Sequence, residues 1–395
     1  MAIKVAVIFG GESVEHEISI ISASQAIKAL NKNKYEVIPL YISKERDFYY
    51  GPELMDVKNF RNLETLKQNA TKVTLVKHED GVHIEPVQHK VLYREFGRID
   101  VAIPVVHGTN GEDGTLQGYL EMLKIPYAGC DVIAAGIGQD KAIMKQVLSY
   151  AGLPMSRWFW FYAHDFEDNK EELLNKVHEI GYPVILKPAC LGSSIGIEFA
   201  DNDEEFIKAV EETSQFDFKI VVEEVVQNLR EINCSVLGSC FGCKPSVLEE
   251  VTNGDFLSFE EKYQKGAKSK KTGGSEGMAS TARKVPADLP EDITNTIKDY
   301  AVKAFRTLGS AGVCRIDFMM NDETKQIYLN EINTIPGSLA FYLWKEEGVN
   351  FNQLMDALVN QAIDRTRRKA KMTFSYQTNV LETFQAGGAK GAKKL

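Results

Sequence analysis

Hydrophobic and polar positions follow two alternating periods in the first hundred or so residues. Short apolar runs typical of buried strands (VAVIF, VIPLYI, VAIPVV) are interleaved with stretches that have helical spacing (ISIISASQAIKAL, GTLQGYLEML). Strands that alternate with helices predict βα units on a parallel sheet. We therefore expect a Rossmann-like N-terminal domain over residues 1–132.

The pattern changes twice further along the chain. A helical stretch over 133–151 leads into the strand-like runs VILKPA, IGIEFA and KIVVEEVV around the helix EEFIKAVEET, which predicts a small α+β lobe over 133–226. Longer strand-like runs (INCSVLG, PSVLEEVT, CRIDFMM, IYLNEINT) with long helical stretches beside them predict a third domain over 227–374. A length of 395 residues suits several domains that share a cleft.

Two segments lack periodicity. The stretch QKGAKSKKTGGSEGM is glycine-rich, basic and longer than an ordinary connection, so it predicts a mobile active-site lid within 260–280. A plain disordered surface loop is the alternative. The last residues, 375–395, predict a flexible basic tail to which we assign no function.

Composition excludes several classes of function. With 44% hydrophobic and 26% charged residues and a net charge of -9, the chain is a globular protein that is poorly suited to wrap nucleic acid or an anionic membrane. The first apolar run is too short for a signal peptide and no run is long enough to span a bilayer, so we expect a cytoplasmic protein. Cys240 and Cys243 lack a second pair to complete a zinc site and predict a hairpin turn, with redox chemistry as the alternative.

Two glycine-rich turns each follow an apolar strand and precede a helix. GGESVEHE carries Glu15 and His16, and HGTNGEDG begins at His107. Exposed amides at a helix N-terminus attract anions, although one such turn is more often structural. Two of them at the carboxyl ends of neighbouring strands describe the crevice where α/β sheets bind ligands.

A phosphate-binding signal follows in VILKPACLGSSIGI. Lys187 ends a strand, and the turn Gly192-Ser193-Ser194 offers backbone amides and hydroxyls. The pattern GxxxxGK[ST] is absent, so this is not a Walker A loop. Lys141 begins a helix, where an isolated lysine would usually be a surface charge.

Three oxygen-bearing side chains lie on two strand-like runs near the C-terminal side. Glu331 and Asn333 alternate on one run and therefore face the same way, and Asp317 on a paired run could meet them. Carboxylate and amide oxygens suit Mg²⁺. Arg315 could stabilise negative charge that develops at a transferred phosphoryl group or a tetrahedral centre.

Together these motifs resemble the D-alanine:D-alanine ligases, a family of the ATP-grasp fold, from Val5 to about Met372. The resemblance rests on GGESVEHEIS, HGTNGEDGTLQG, IPYAG followed by QDK, KPACLGSSIGI, EEKY, RIDFM and NEINTIPG, all in the family's order. It implies a Rossmann-like N-terminal domain followed by a two-lobed ATP-grasp, in α/β and α+β architecture, with ATP between the lobes. The implied activity joins two D-alanines through an acyl phosphate.

The resemblance also implies a role for each matching residue on the amino-acid side. Glu15 matches the acid that recognises the ammonium group of the first D-amino acid, and His107 lies near that subsite. Ser193 and Tyr263 match the pair that closes the site by hydrogen bonding with Glu15. The implied oxyanion stabilisers are Arg315 and the amide of Gly337.

On the nucleotide side, the resemblance implies two lysines at the ATP phosphates, an adenine-binding hinge, an acid on the ribose and a lid lysine at the γ-phosphate. In that order these are Lys141 and Lys187; Glu223, Glu224, Val225 and Val226; Glu231; and Lys262. The implied metal is Mg²⁺, as two ions, with Mn²⁺ as an alternative, held by Asp317, Glu331 and Asn333.

The acceptor side departs from the family. Where members usually continue PG with M/F-T and a serine-containing stretch, this chain reads SLAFYLW. We expect either that Ser338 and Leu339 take over the contact to the carboxylate of the second substrate or that this pocket is rebuilt. A ligase with D-serine, D-lactate or another acceptor stays open as an alternative. A nicotinamide dehydrogenase is disfavoured because GxGxxG is absent, and a non-catalytic module is disfavoured because every candidate residue is present. Family members are commonly dimers, and we expect a homodimer.

Overall fold

The computed structural model describes residues 2–88, 96–251 and 283–376. The predicted lid (260–280) therefore lies outside the described residues, as does nearly all of the predicted tail. The described strands are β1 (Ile3–Gly10), β2 (Tyr35–Ile42), β3 (Phe48–Tyr50), β4 (Thr71–His78), β5 (Gly81–Pro86), β6 (Arg98–Ile99), β7 (Val101–Pro104), β8 (Trp158–Tyr162), β9 (Val184–Pro188), β10 (Glu198–Ala200), β11 (Lys219–Glu224), β12 (Leu229–Ser239), β13 (Gly242–Val251), β14 (Arg283–Lys284), β15 (Gly312–Asn321) and β16 (Ile327–Asn333). The described α-helices are α1 (His16–Ala29), α2 (Leu63–Asn69), α3 (Thr115–Leu123), α4 (Val132–Gln139), α5 (Lys141–Tyr150), α6 (Phe166–Ile180), α7 (Asp203–Thr213), α8 (Glu291–Thr307), α9 (Phe341–Lys345) and α10 (Phe351–Lys369).

The N-terminal sheet is only partly parallel. Its order is β6-β5-β4-β3-β2-β1-β7, in which β1 pairs in parallel with β2 and β7, while β3 to β6 add an antiparallel extension beyond β2. The expected parallel βα pattern thus holds for three strands and fails for the others. The cause is local, because β4 and β5 are joined by the two residues Glu79 and Asp80 before Gly81, and so short a connection can only link antiparallel strands.

The crevice predicted beside β1 is confirmed. Strands β1 and β7 are parallel neighbours, so the turns GGES and HGTN lie at the same edge of the sheet. Gly10 and Gly11 adopt φ values of 94° and 95°, which a side chain would strain, and a Cβ at Gly10 would lie 2.2 Å from the carbonyl oxygen of Ile42. Glycine is therefore required where the chain leaves β1.

The central lobe has a four-stranded antiparallel sheet of order β10-β9-β11-β8, against which α6 and α7 pack. Strand β8 and helix α6 were not among the predicted elements. The helix predicted over 133–151 is two helices, α4 and α5, separated at Asp140. The Asp140 carboxylate accepts hydrogen bonds from the backbone N–H groups of Ala142 and Ile143, so it caps a new helix that begins at Lys141.

The C-terminal sheet is antiparallel, of order β14-β13-β12-β15-β16. Ile316, Phe318 and Ile332 lie in the core formed with α8, on the face of the sheet opposite Asp317 and Glu331. Cys240 and Phe241 form the turn between β12 and β13, so the CFGC segment is the predicted hairpin. The domain boundaries at 132 and 226 stay predictions.

No helix within residues 2–88, 96–251 and 283–376 is both long enough and apolar enough to cross a membrane. The longest of the described helices, α10, carries Arg367, Arg368 and Lys369 in its last turn.

A buried ion cluster ties α5 to the central sheet. The Glu223 carboxylate lies 3.0 Å from the Lys145 ammonium and 3.2 Å from the Lys187 ammonium, and it accepts a hydrogen bond from Ser156 Oγ at 3.2 Å. Burial alone would raise the pKa of Glu223, but the two lysines outweigh burial and lower it to about 2. Glu223 is therefore ionised, and it fixes the position of Lys187 on β9.

Replacing this carboxylate with an amide, Glu223→Gln, is expected to lower the free energy of unfolding by about 3 kcal/mol at pH 7, because Lys145 loses its buried partner. The folded-state pKa is depressed, so the stabilisation is full above the unfolded value of about 4.5 and is lost as the pH falls through about 2. Urea unfolding at pH 7 and pH 4 should show a smaller difference from the unmodified chain at the lower pH.

Glu224→Gln is the matched control, because the Glu224 carboxylate pairs with the largely exposed Arg157. An exposed pair contributes at most about 1 kcal/mol. Equal losses for the two variants would contradict a buried, ionised Glu223.

Candidate active site

One cleft collects most of the residues that the sequence singled out. It lies between the glycine turns of the N-terminal sheet, the central lobe and the open face of the C-terminal sheet. Among the predicted residues, those that line it are Glu15, His107, Lys141, Lys187, Ser193, Glu231, Arg315, Asp317, Glu331, Asn333 and Gly337. Those in the described ranges that do not line it are Glu223, Glu224, Val225, Val226, Ser338 and Leu339, whereas Lys262 and Tyr263 lie outside the described residues.

At the N-terminal end of the cleft, Glu15 meets Ser193. The Ser193 hydroxyl donates a hydrogen bond to Glu15 Oε1, although the two residues are on different domains. Gly108 has a φ of 72°, and a Cβ there would lie 2.9 Å from Glu15 Oε2; one on Gly192 would lie 3.3 Å away. These two glycines leave room around the carboxylate for a small cationic group.

Beside Glu15, His107 is buried at the wall of the cleft. Its Nδ1 lies 2.8 Å from the carbonyl oxygen of Ile335 and its Nε2 lies 2.8 Å from Ser22 Oγ. Burial lowers the pKa of His107, although the Glu15 charge opposes that effect. The imidazole is therefore neutral at pH 7.

Sequence reasoning missed Glu112, which is buried in the same loop. Its two oxygens accept hydrogen bonds from the backbone N–H groups of Gly108 and Ile335, each at 2.8 Å. Burial first, and then the charge of Glu15, raises the pKa of Glu112 to about 8. An acid enclosed by glycines in HGTNGEDG was the available signal, but its partner at Ile335 is 223 residues away.

Two lysines mark the middle of the cleft. The Lys141 ammonium donates to the carbonyl oxygen of Leu191 at 2.7 Å and lies 3.5 Å from the Glu331 carboxylate. Lys187 donates to Asn330 Oδ1 at 3.1 Å. Both flank the Gly192-Ser193-Ser194 turn in the same cleft, so the arrangement can hold a polyphosphate by two cations and a set of amides.

The predicted acidic set forms across paired strands. Asp317 on β15 is directly opposite Glu331 on β16, and Asn333 Nδ2 donates to Asp317 Oδ2 at 3.0 Å. Arg315 binds the same carboxylate through two hydrogen bonds of 2.7 and 2.6 Å. Burial alone would lower the pKa of Arg315, but the Asp317 carboxylate raises that pKa well above the usual value. The guanidinium therefore stays charged.

This set fits a hard divalent cation. Each carboxylate oxygen has two lone pairs, so Asp317 can bind Arg315 and a metal ion at once. Across the described ranges, no group of three His, Cys, Asp or Glu side chains is arranged to hold a metal. A cation here would therefore depend on the Asn333 amide and on oxygens from a bound phosphate.

A second network that sequence reasoning missed borders the cleft at Arg283 and Asn233. Glu249 on β13 is bound by Tyr342 Oη at 2.9 Å, by Arg283 Nη1 at 3.0 Å and by Asn233 Nδ2 at 3.0 Å. Tyr342 comes from the SLAFYLW segment. The SLAFYLW segment thus supplies a half-buried tyrosine beside Arg283 and Asn233, which line the cleft.

Ser338 and Leu339 are buried beneath this region. The backbone N–H of Ser338 donates to Ser22 Oγ at 2.9 Å, and that of Leu339 donates to the carbonyl oxygen of Pro336 at 2.8 Å. Neither side chain lines the cleft. Their expected contact with a second substrate stays a prediction.

Comparison with known proteins finds relatives that match nearly the whole chain. A family model described as the D-ala D-ala ligase N-terminus matches residues 4–130, and one described as the D-ala D-ala ligase C-terminus matches residues 147–360. The D-alanine–D-alanine ligase of Thermosipho melanesiensis is 38% identical over 387 residues, covering 96% of this chain and 98% of the relative. That of Bacillus cytotoxicus is 36% identical, covering 94% and 99%.

Solved structures give the same result. The D-alanine-D-alanine ligase from Coxiella burnetii superposes with a TM-score of 0.77 at 29% identity, covering 94% of this chain and 96% of that one. The VanG D-Ala:D-Ser ligase from Enterococcus faecalis superposes with a TM-score of 0.74 at 28% identity, covering 92% and 100%. The two family models together match most of the chain, and the chain belongs to the D-alanine:D-alanine ligase family.

Proposed function

We propose that this chain joins two D-alanines to D-alanyl-D-alanine at the expense of ATP, through an acyl phosphate, as a cytoplasmic step in making peptidoglycan precursors. The observation that carries the proposal is the single cleft that unites the Glu15–Ser193 pair, the two lysines and the Asp317–Glu331 pair. The Glu15 carboxylate suits the ammonium group of an amino acid, and the two lysines suit the phosphates of ATP. Both kinds of group lie in the same cleft. The names of the relatives support the same reaction.

In the first half of the reaction, Glu15 binds the ammonium group of the first D-alanine. The carboxylate of this D-alanine then points toward the two lysines. That carboxylate attacks the γ-phosphorus of ATP in line, the bond to the β,γ-bridging oxygen breaks, and ADP leaves. Lys141 and Lys187 offset the charge on the transferred group. Positioning and electrostatics supply the acceleration, because no protein side chain forms a covalent bond.

In the second half, the amine of the second D-alanine attacks the acyl carbon. The carbonyl oxygen gains charge in the tetrahedral intermediate, and Arg315 and the amide of Gly337 are the donors proposed to stabilise it. The carbon–oxygen bond to phosphate then breaks and the new amide remains, while the proton lost by the attacking nitrogen passes to the departing phosphate or to solvent. Arg315 is held for this role by Asp317.

Asp317, Glu331 and Asn333 would hold Mg²⁺, as two ions, or Mn²⁺ in its place. When bound, the metal supplies positive charge to the ATP phosphates. The adenine hinge at Glu223 to Val226, the ribose contact of Glu231 and the lid contacts of Lys262 and Tyr263 remain parts of the proposal.

A second substrate other than D-alanine is an alternative that one observation favours. The SLAFYLW segment brings Tyr342 beside Arg283 at the acceptor side of the cleft, and a D-Ala:D-Ser ligase is among the similar structures. D-serine is the first alternative to test, followed by D-lactate.

Phosphate release from ATP and Mg²⁺ tests the reaction directly. We expect release with D-alanine alone and a product with the mass of D-alanyl-D-alanine. A product formed only from D-alanine with D-serine or D-lactate would show that the acceptor is not D-alanine. Absence of phosphate release with every pair would refute the proposed ligase activity. Omitting divalent metal is the control, and activity should return with Mg²⁺ or Mn²⁺.

Glu15→Gln should raise the KM for the first D-alanine by roughly 10- to 100-fold, because a charge-assisted contact to the ammonium group is lost. The KM for ATP should change little. Glu12→Gln on the same turn is the control, since Glu12 pairs with the exposed Arg46. If the two variants gave the same KM for D-alanine, Glu15 would not be the ammonium site.

We also expect a homodimer. Sedimentation equilibrium should give a mass of twice the 44.2 kDa chain, and a single species at 44.2 kDa would exclude the dimer.

A further inference from the structure

The segment that carries Gly337 has an unfavourable backbone. Three consecutive non-glycine residues, Ser338, Leu339 and Ala340, have φ values of 52°, 52° and 49°. L-amino acids visit this left-handed region as single residues and rarely in succession, because Cβ approaches the following carbonyl oxygen. Such a turn persists only where its surroundings hold it in place.

Three buried side chains hold it, and all three come from the N-terminal domain. The Ser338 N–H donates to Ser22 Oγ at 2.9 Å, and Ser22 Oγ lies 2.8 Å from His107 Nε2. His107 Nδ1 lies 2.8 Å from the Ile335 carbonyl oxygen, and the Ile335 N–H donates to Glu112 Oε1 at 2.8 Å. Both backbone groups of Ile335 and the amide of Ser338 are therefore fixed from outside the segment.

One assignment of protons satisfies every contact. With the proton on His107 Nδ1, the ring donates to the Ile335 carbonyl and its Nε2 accepts from the Ser22 hydroxyl. Ser22 Oγ can then accept from the Ser338 N–H. Glu112 also accepts from the Gly108 N–H at 2.8 Å, which anchors the network to the HGTNGEDG loop.

We propose that Ser22, His107 and Glu112 form a brace that holds segment 335–340 in its left-handed turn and so aligns the amide of Gly337 with the tetrahedral intermediate. Ser22 and Glu112 are positioning residues in this account, because they act on the reaction only through the segment. The proposal rests on the function proposed above, and it concerns the second half of that reaction.

The consequence is selective. Formation of the acyl phosphate uses Glu15, Lys141 and Lys187, which the brace does not hold by hydrogen bonds. Attack by the second amine uses the Gly337 amide. The brace positions this amide through its hydrogen bonds to Ile335 and Ser338. Loosening the brace should therefore slow amide formation more than phosphoryl transfer, whereas a general loss of folding would slow both alike.

The two halves can be measured separately. Scrambling of ¹⁸O from the β,γ-bridge of ATP in the presence of D-alanine reports reversible acyl-phosphate formation, and dipeptide appearance reports the whole reaction. For Ser22→Ala and Glu112→Gln, the ratio of dipeptide formation to scrambling should fall about tenfold or more, because a misplaced oxyanion donor loses much of its effect.

Ser19→Ala is the matched control. Ser19 is also buried on α1, and its hydroxyl also makes two contacts, to the Gly10 N–H and the Val105 carbonyl oxygen, but it does not touch 335–340. We expect a lower melting temperature with the ratio unchanged. The ratio is measured on the folded fraction, so partial unfolding of a variant does not alter it.

An unchanged ratio in both brace variants would overturn the proposal, whether or not their overall rates fall. A ratio that falls equally in Ser19→Ala would also overturn it, because the effect would then belong to the fold in general. If the unmodified chain gave neither scrambling nor dipeptide, the proposed function itself would fail, and the brace would fail with it.

Discussion

The pairing of β15 with β12 on one side and β16 on the other is the constraint on which the site depends. This register sets Asp317 opposite both Asn233 and Glu331, so one row of cross-strand partners carries polar groups on a single face. Apolar side chains at the alternating positions bury the opposite face against α8. A slip of one residue would exchange the two faces, so the same hydrophobic burial that stabilises the sheet also aims its carboxylates.

Around that row, the other domains contribute side chains through contacts that close the cleft. Ser193 of the central lobe reaches Glu15 of the N-terminal turn, and Lys141 of α5 reaches the neighbourhood of Glu331. The buried Lys145–Glu223 pair fixes α5 against β11, which in turn places the lysine at its first residue. The site is therefore a property of three sheets held together, and no single lobe contains it.

Much of the fold and the site followed from local sequence. The glycine turns, the first residue of α5 and the alternation around Asp317 and Glu331 are signalled within a few residues of where they occur. The rest depended on pairings between distant segments. Glu112 meets Ile335 only once the N-terminal and C-terminal domains have docked, and Tyr342 meets Glu249, 93 residues away, only once the C-terminal lobe has folded, so neither contact could be derived from spacing. The antiparallel strands β3 to β6 were missed because their short, half-exposed runs resemble the flanks of βα units.

Those same strands have a consequence for how such a chain can vary. They run on from β2 to β6, and β6 is joined by Asp100 alone to β7, the strand beside the crevice. Asp100 donates its backbone N–H to the carbonyl oxygen of Lys4 and accepts the Lys4 N–H on its carboxylate, so a change in the length of β6 would act on the register of β7 against β1. Insertions between β3, β4 and β5 can be absorbed in their connections, whereas the strand that ends at Ile99 cannot lengthen without displacing the turn that begins at His107.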